Sequence, residues 1–587
     1  MKTKKTKIVC TLGPATDSVE IIEALIQNGM NVARFNFSHG SHEEQKARFD
    51  KLKQARENTG KNIGILLDTK GPEIRTHLMA TDKVELIKGK TVKISMTEVA
   101  GTADIFSVTY SQLINDVKVG GHILLDDGLI DLLITDIDHA TGMITCQILN
   151  TGTLKSRKGV NVPNVSLNLP GITEKDADDI RFGLGEGIDF IAASFVRSAK
   201  DVLEIRELLE QEGKPGIKII SKIENQEGVD NLEEILLVSD GIMVARGDLG
   251  VEIPTEDVPV LQKQIIHQCN LMGKPVITAT QMLDSMQVNP RPTRAEAGDV
   301  ANAIYDGTDA VMLSGETASG AYPIEAVKTM ASICLRTEEA LIGQDALVLK
   351  TYDKRDMTEA IGQSVGHTVK NLDIQTIVAA TSSGHTAQMI SKFRPKSHIL
   401  AATFDLSTCR QLTLSWGVHA FKVEKVHSTD DLFNVATNLA LDQGFAEEGD
   451  LIMITAGVPI GESGTTNLMK IQQIGVLLGQ GEGVGRENAI AKATVAYTSE
   501  EANEKMQEGN ILVTRQTNMD YMPAIKLASA IVTEEGGMTS HAAILGLELG
   551  IPVVVNAKGV LASIKENEII TVDGRRGRVY RGSTAVI

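Results

Sequence analysis

The stretch IISKIEN (219–225) puts Lys222 and Glu224 two residues apart in an otherwise apolar run. Strand side chains alternate between faces, so the amine and the carboxylate share one face and Ile223 takes the other. A second carboxylate, Asp248, stands in ARGDLG (245–250) beside Arg246 and Gly247. Two carboxylates with no cysteine or histidine nearby form an oxygen-only donor set, which suits Mg2+ (or Mn2+) better than zinc. Next to such a pair, Lys222 suits a fixed positive charge that stabilises a transferring phosphoryl group or an enolate. A Schiff-base amine is one alternative, and a private ion pair with Glu224 is the other.

Polar residues gather at the ends of several similar runs. NVARFNFSHG (31–40) carries Arg34, Asn36, Ser38 and His39, and LLDTKGPEIRT (66–76) carries Asp68, Thr69, Lys70, Glu73 and Arg75. TATQML (278–283) offers Thr278 and Thr280. RGDLG reads either as the start of a helix, whose unpaired amides would hold a substrate carboxylate, or as an ordinary tight βα turn that its glycines alone explain. Arg34, Arg75 and Lys158, the last in KSRKGVN (155–161), are candidate phosphate binders, although each alone reads more readily as a solvated surface charge. TSSGHTA (381–387), with Thr381, Ser382, Ser383, Gly384 and Thr386, is a hydroxyl- and glycine-rich turn between a strand and a helix. It suits a phosphate cradle for an allosteric sugar phosphate or nucleotide, or a plain capped helix start.

Residues this far apart in sequence meet only if the fold collects strand ends. Short β-branched runs at 7–13, 31–37, 62–68, 189–195, 218–224, 240–247, 275–281 and 309–315 alternate with helical patterns, some with caps at Ser18, Thr173, Ser198 and Thr255. Eight parallel βα units predict an α/β fold, a (β/α)8 TIM barrel over 1–69 and 170–340, with its site at the carboxyl ends of the strands. The alternating, turn-rich segment 70–169 interrupts the rhythm and reads as a small inserted β domain, a lid over the site or else a passive insertion. Segment 341–474 reads as an α/β regulatory domain. GQGEGVGREN (479–488) reads as a linker into a further small domain within 475–587.

The chain has 587 residues, which predicts about three or four domains. Lys+Arg 58 against Asp+Glu 76 gives a net charge of −18, which argues against binding nucleic acid or an anionic membrane. The five cysteines are scattered and never in CxxC spacing, which suits a reducing cytosol. No stretch approaches the roughly 18 apolar residues of a membrane span, so a soluble cytoplasmic enzyme is expected.

Nine motifs in order, KIVCTLGPAT, NVARFNFSHG, LLDTKGPEIRT, SRKGVN, ISKIENQEG, GIMVARGDLG, TATQML, RPTRAE and DAVMLSGETA, resemble the pyruvate kinase family over about residues 1–474. The resemblance implies phosphoryl transfer from phosphoenolpyruvate to ADP, giving pyruvate and ATP. It implies that Arg34 contacts the transferring phosphate, and that Lys222 stabilises the transition state. Gly247, Asp248 and Thr280 would hold substrate, and Arg75 and Lys158 nucleotide phosphates. Glu224 and Asp248 would ligate Mg2+; Asn36, Ser38, Asp68 and Thr69 would hold K+, with Glu73 matching K+-dependent members. A cytoplasmic, allosteric homotetramer is implied too. A lyase or synthase acting on phosphoenolpyruvate or pyruvate would share the carboxylates and Lys222, but not Lys158 in a lid. A metabolite sensor with a decayed site is the non-enzymatic reading, yet no motif is missing. TEEGGMTSHAAILGLELGIPVVV (533–555) resembles the swivelling phosphohistidine domain of phosphoenolpyruvate-utilising enzymes, with His541 at the phosphorylated position. This chain lacks the ATP-grasp domain that would load His541, so a structural or interdomain role, with His541 a vestige, is expected.

Overall fold

Each of the eight apolar runs forms a short strand: β1 (Lys7–Thr11), β2 (Val32–Asn36), β3 (Gly64–Asp68), β4 (Phe190–Ala193), β5 (Lys218–Ile223), β6 (Gly241–Ala245), β7 (Val276–Ala279) and β8 (Ala310–Leu313). In the computed structural model, which describes residues 3–341, 357–426, 428–447, 449–458, 466–485 and 487–582, they close into a parallel barrel in sequential order. The first part of the expected 341–474 segment, residues 342–356, lies outside the described residues.

Alternation sorts each strand between two cores. Along β5, Ile219 and Ile223 join the cluster packed under the helices, and Ile220 joins the one filling the barrel. Across the barrel, Val9, Val32, Leu66, Ala192 and Met243 fill the interior, while Cys10, Ala33, Leu67, Ala193 and Val244 face the helices. Lys222 and Glu224 have the parity of Ile220, so they rise from the interior face.

Helix starts follow the caps in most cases. Ser18 accepts from the Ile21 N–H at the head of Val19–Asn28, and Thr173 forms a capping box at Glu174–Glu186. Thr255 does not start a helix: the helix is Val258–Met272, and Thr255 stands in the preceding turn. Pro259 suits the first turn, where its missing N–H costs nothing, and it sets the start further along.

The inserted segment has a six-stranded sheet, including Thr91–Ser95, His122–Leu125, Ile130–Asp138 and Met143–Ile148, around its own core of Val92, Ile94, Phe106, Leu132 and Ile144.

The chain divides into two compact units, Met1–Gly366 with Thr381–Lys425, and His367–Ala380 with Val426–Ile587. In the first, His398–Thr403 and Val418–Lys422 pair in parallel. In the second, Thr376–Ala380 pairs with Leu451–Ala456, and an eight-stranded sheet spans Leu477–Arg581. The glycine-rich stretch at 479–485 is not a linker: Leu477–Gln480 and Glu482–Val484 are strands of that sheet. Its glycines admit backbone instead. A Cβ on Gly481 would sit 2.0 Å from Val555 O, and one on Gly483 2.4 Å from Gly574 O.

Candidate active site

Inward parity at the strand ends gathers a polar layer from five neighbouring strands. Thr11 on β1 accepts from Arg34 Nη1 on β2 at 2.9 Å, and Arg34 Nε meets Asp68 Oδ2 on β3 at 2.6 Å. Ser194, one residue past β4, accepts from Lys222 Nζ on β5 at 2.8 Å and donates to Thr69 O at 2.7 Å. Lys222 Nζ also lies 3.2 Å from Asp68 Oδ1 and 2.9 Å from Glu224 Oε1. The private pair of Lys222 and Glu224 is therefore real, but it belongs to a longer chain of charges.

This layer is buried, and its electrostatics follow from the pairing. Burial alone would raise the Asp68 carboxyl, but Arg34 and Lys222 hold it below its ordinary range. Burial opposes the Lys222 charge, yet Asp68 and Glu224 outweigh it and push the ammonium above its usual value. Glu224, unlike Asp68, is raised: burial lifts it, Lys222 resists, and the charge of Asp248 adds to the rise.

Glu224 Oε2 accepts the Phe195 N–H at 2.7 Å, and Phe195 takes a left-handed φ of 57° to deliver it. Glu224 Oε1 is buried, and its partner is the Lys222 ammonium at 2.9 Å. A carboxylate oxygen with a single ion-pair partner and spare lone pairs, under the charge of Asp248, fits a divalent ion. Among the described residues no group of three or more His, Cys, Asp or Glu could hold a metal, so the remaining ligands would come from substrate and water. Asn36 and Asp68 are register partners on β2 and β3, with Ser38 and Thr69 just beyond. Their oxygens suit a monovalent cation, although Asp68 already engages two side-chain cations.

Alternation holds along β7 and breaks just past its end. Thr278 has the parity of Val276 and faces away from the axis, where it donates to Thr308 Oγ1 at 3.0 Å. Thr280 reaches the site because it leaves the strand with φ 66°, strained for a β-branched residue. Its Oγ1 accepts from Gly247 N–H at 2.8 Å. Arg246 holds this turn, donating to Thr280 O at 2.7 Å and pairing with Asp299 at 2.7 Å. Gly247 and Asp248 lie in the first turn of the helix Arg246–Glu252, as RGDLG suggests.

In the lid, Arg75 and Lys158 sit on adjoining antiparallel segments joined at Arg75 and Gly159. Arg75 pairs with Glu73 at 2.6 Å, and Lys158 with Asp126 at 2.7 Å. Asp127 is raised by burial and by Asp126 and Asp248, with Lys158 and Arg75 opposing, which ties the lid cations to the barrel carboxylates. Sequence reasoning missed Thr11, Ser194 and Asp127. Strand parity alone would have found the first two; nothing local marks the third.

Two candidates lie away from this layer. Thr381 Oγ1 accepts from Gly384 N–H at 2.9 Å, Gly384 has φ 88°, and the helix His385–Lys392 follows, with Thr386 in its first turn; Ser382 O accepts from Thr408 Oγ1 at 3.1 Å, and Ser383 lies between. His541 opens the helix His541–Leu549 behind the Ser540 cap, with its Nδ1 3.1 Å from Thr517 Oγ1.

Three family models match this chain: "Pyruvate kinase, barrel domain" over 3–327, "Pyruvate kinase, alpha/beta domain" over 359–472, and "PEP-utilising enzyme, mobile domain" over 506–577. It is 58% identical over 585 residues to the pyruvate kinase of Geobacillus stearothermophilus and 57% identical to that of Bacillus licheniformis, each comparison covering 100% of both chains. A crystal structure of a pyruvate kinase from Cryptosporidium parvum superposes with a TM-score of 0.76 at 40% identity, covering 80% of this chain and 96% of that one.

Proposed function

The chain belongs to the pyruvate kinase family, and from that premise we propose that the layer Arg34–Asp68–Ser194–Lys222–Glu224, with Asp248, carries phosphoryl transfer from phosphoenolpyruvate to ADP. An oxygen of the ADP β-phosphate attacks phosphorus while the bond from phosphorus to the enol oxygen breaks. The products are ATP and the enolate of pyruvate, which is then protonated on carbon. Negative charge passes through the transferring group to the enol oxygen, so fixed positive charge at both places lowers the barrier.

Arg34 offers its remaining Nη2 to the phosphoryl oxygens while Asp68 and Thr11 hold its plane. Lys222 supplies the second charge, and the carboxylates that raise it keep it protonated. This supports the electrostatic role over a Schiff base, which needs a neutral amine. The Gly247 amide and Thr280 hydroxyl, bonded to each other here, exchange that bond for the substrate carboxylate. A divalent ion held by Glu224 and Asp248, with K+ at Asn36, Ser38, Asp68 and Thr69, would supply the remaining positive charge when bound.

The observation that carries this reading is the unbroken polar layer across five strand ends. A lactate-dehydrogenase-coupled assay with phosphoenolpyruvate and ADP tests it: turnover should require Mg2+ or Mn2+ and rise with K+. No turnover with both ions present would refute it.

Arg75 and Lys158 bind nucleotide phosphates from the lid in this reading. Lys158→Ala should raise the KM for ADP about tenfold, or ~1.4 kcal/mol, and leave the KM for phosphoenolpyruvate nearly unchanged. An equal rise in both would take Lys158 off the nucleotide.

The matched spans 3–327, 359–472 and 506–577 support the division into barrel, lid within the barrel span, α/β domain (341–474) and extra domain (475–587). We place an allosteric sugar phosphate or nucleotide at Thr381–Thr386, in a cytoplasmic homotetramer that binds neither nucleic acid nor membrane. Among the described residues no helix is long and apolar enough to cross a membrane. His541 has a structural role: after incubation with phosphoenolpyruvate, intact-mass measurement should find no acid-labile phosphate on the chain, and its appearance would restore a carrier role.

A further inference from the structure

A cavity of about 320 Å³ lies where the lid joins the barrel. Both chain crossings wall it: Pro72 on the way out, and Asn164–Leu167 with Leu169 on the way back. The barrel contributes Phe195, Arg197, the segment after β5 and Glu252. Its volume falls at the small end of ligand pockets, roughly 300–1,000 Å³.

The lining has two chemistries. Pro72, Val165, Leu167, Leu169 and Phe195 give an apolar wall, and Glu227, Asp230 and Glu252 bring three carboxylates. Each carboxylate meets a neutral donor: Ser166 Oγ to Glu227 at 2.8 Å, Gln226 Nε2 to Asp230 at 2.7 Å, and Asn161 Nδ2 to Glu252 at 3.2 Å. Among the described residues none of the three forms an ion pair. Arg197 is the cavity's only cation, and it is committed elsewhere. It donates to Leu167 O at 3.0 Å, Leu169 O at 2.8 Å and Pro170 O at 3.1 Å, and lies 3.4 Å from Asp201. Glu227 and Asp230 bring negative charge with no cation against it, while burial raises the Glu252 carboxyl to about 7; a small, partly apolar cavity of this kind complements a short hydrocarbon chain that ends in a primary ammonium.

Two of the neutral bonds cross from lid to barrel. An ammonium that takes Glu227 or Glu252 competes with Ser166 or Asn161, and so loosens the lid. The wall residue Phe195 also donates its backbone N–H to Glu224. We propose that this hinge cavity is a binding site for a short alkyl amine or diamine, whose occupancy shifts the lid and thereby the affinity for nucleotide. The binding half stands on the cavity alone; the regulatory half rests on the lid's Lys158 contacting nucleotide.

The test uses the full-length chain with hexamethylenediamine as probe and hexanediol as the uncharged control at equal ionic strength. Calorimetric titration should show the diamine binding at least about tenfold more tightly than the diol, a difference of ~1.4 kcal/mol. The double variant Glu227→Gln/Asp230→Asn should keep its basal turnover and lose at least tenfold in diamine affinity. At saturating diamine the KM for ADP should change at least threefold in the parent and not in the variant. Absent binding, equal binding of diamine and diol, or undiminished binding by the variant overturns the site. Binding with an unchanged KM for ADP overturns the regulatory half. Calorimetry needs no turnover, so a failure to bind is separate from a failure of phosphoryl transfer, which the coupled assay reads.

Discussion

Replacing Lys222 with methionine is expected to lower kcat by at least about a thousandfold while the chain stays folded. Removing one preorganised charge or donor from a water-excluded site typically costs 10²–10³ in rate, or roughly 2.7–4 kcal/mol. Lys222 is a full charge at the centre of the layer, so the upper end applies. The fold should tolerate the change. Methionine has a similar length, Asp68 keeps its bond to Arg34 at 2.6 Å, and Glu224, already raised by burial, can take up a proton once its cation is gone. The check is steady-state turnover together with a thermal melt. A variant within tenfold of the parent would remove Lys222 from the transition state, and an unfolded one would place it in stability instead. Lys222→Arg should not restore the rate, because a planar guanidinium does not occupy the position of a compact ammonium.

Glu224→Gln should weaken Mn2+ binding by about a hundredfold or more, since even residues behind metal ligands are worth 10- to 100-fold in affinity. Glutamine can still accept the Phe195 N–H, so the left-handed turn at Phe195 persists, while the metal-binding charge is lost. Direct titration of Mn2+ followed by electron paramagnetic resonance reads this without turnover. Unchanged affinity would mean that Glu224 Oε1 serves only its ion pair with Lys222. The same variant deprives Lys222 of one of its two anions, so kcat at saturating metal should fall too, but by less than in Lys222→Met.

The IISKIEN strand shows how far local reasoning reaches. Its alternation places Lys222 and Glu224 on one face, and β5 carries them into the barrel interior with Ile220. Applied to β1 and β4, the same rule would have marked Thr11 and Ser194, which are polar and inward at strand ends. Local reasoning fails wherever the chain leaves regular geometry. Thr280 has outward parity and comes back only through φ 66°, a conformation held by Arg246 and by the Gly247 amide from the neighbouring strand end. Gly481 and Gly483 read as flexible, yet they are places where backbone from residues 555 and 574 comes too close for a side chain.

The sequence by itself determined the strand and helix periods, the order of the motifs, the family, and the inward set Arg34, Asp68 and Lys222, because backbone stereochemistry ties a side chain's direction to its place in a strand. The tertiary structure decided which of those charges are partners. It joined Lys222 to Asp68 and Ser194 as well as to Glu224, turned Thr278 away and Thr280 inward, and brought Asp127 of the lid under the field of Asp248. Those outcomes depend on distances between segments remote in sequence, and on burial that strengthens each charge's effect on its neighbours; neither is encoded in any single stretch of chain.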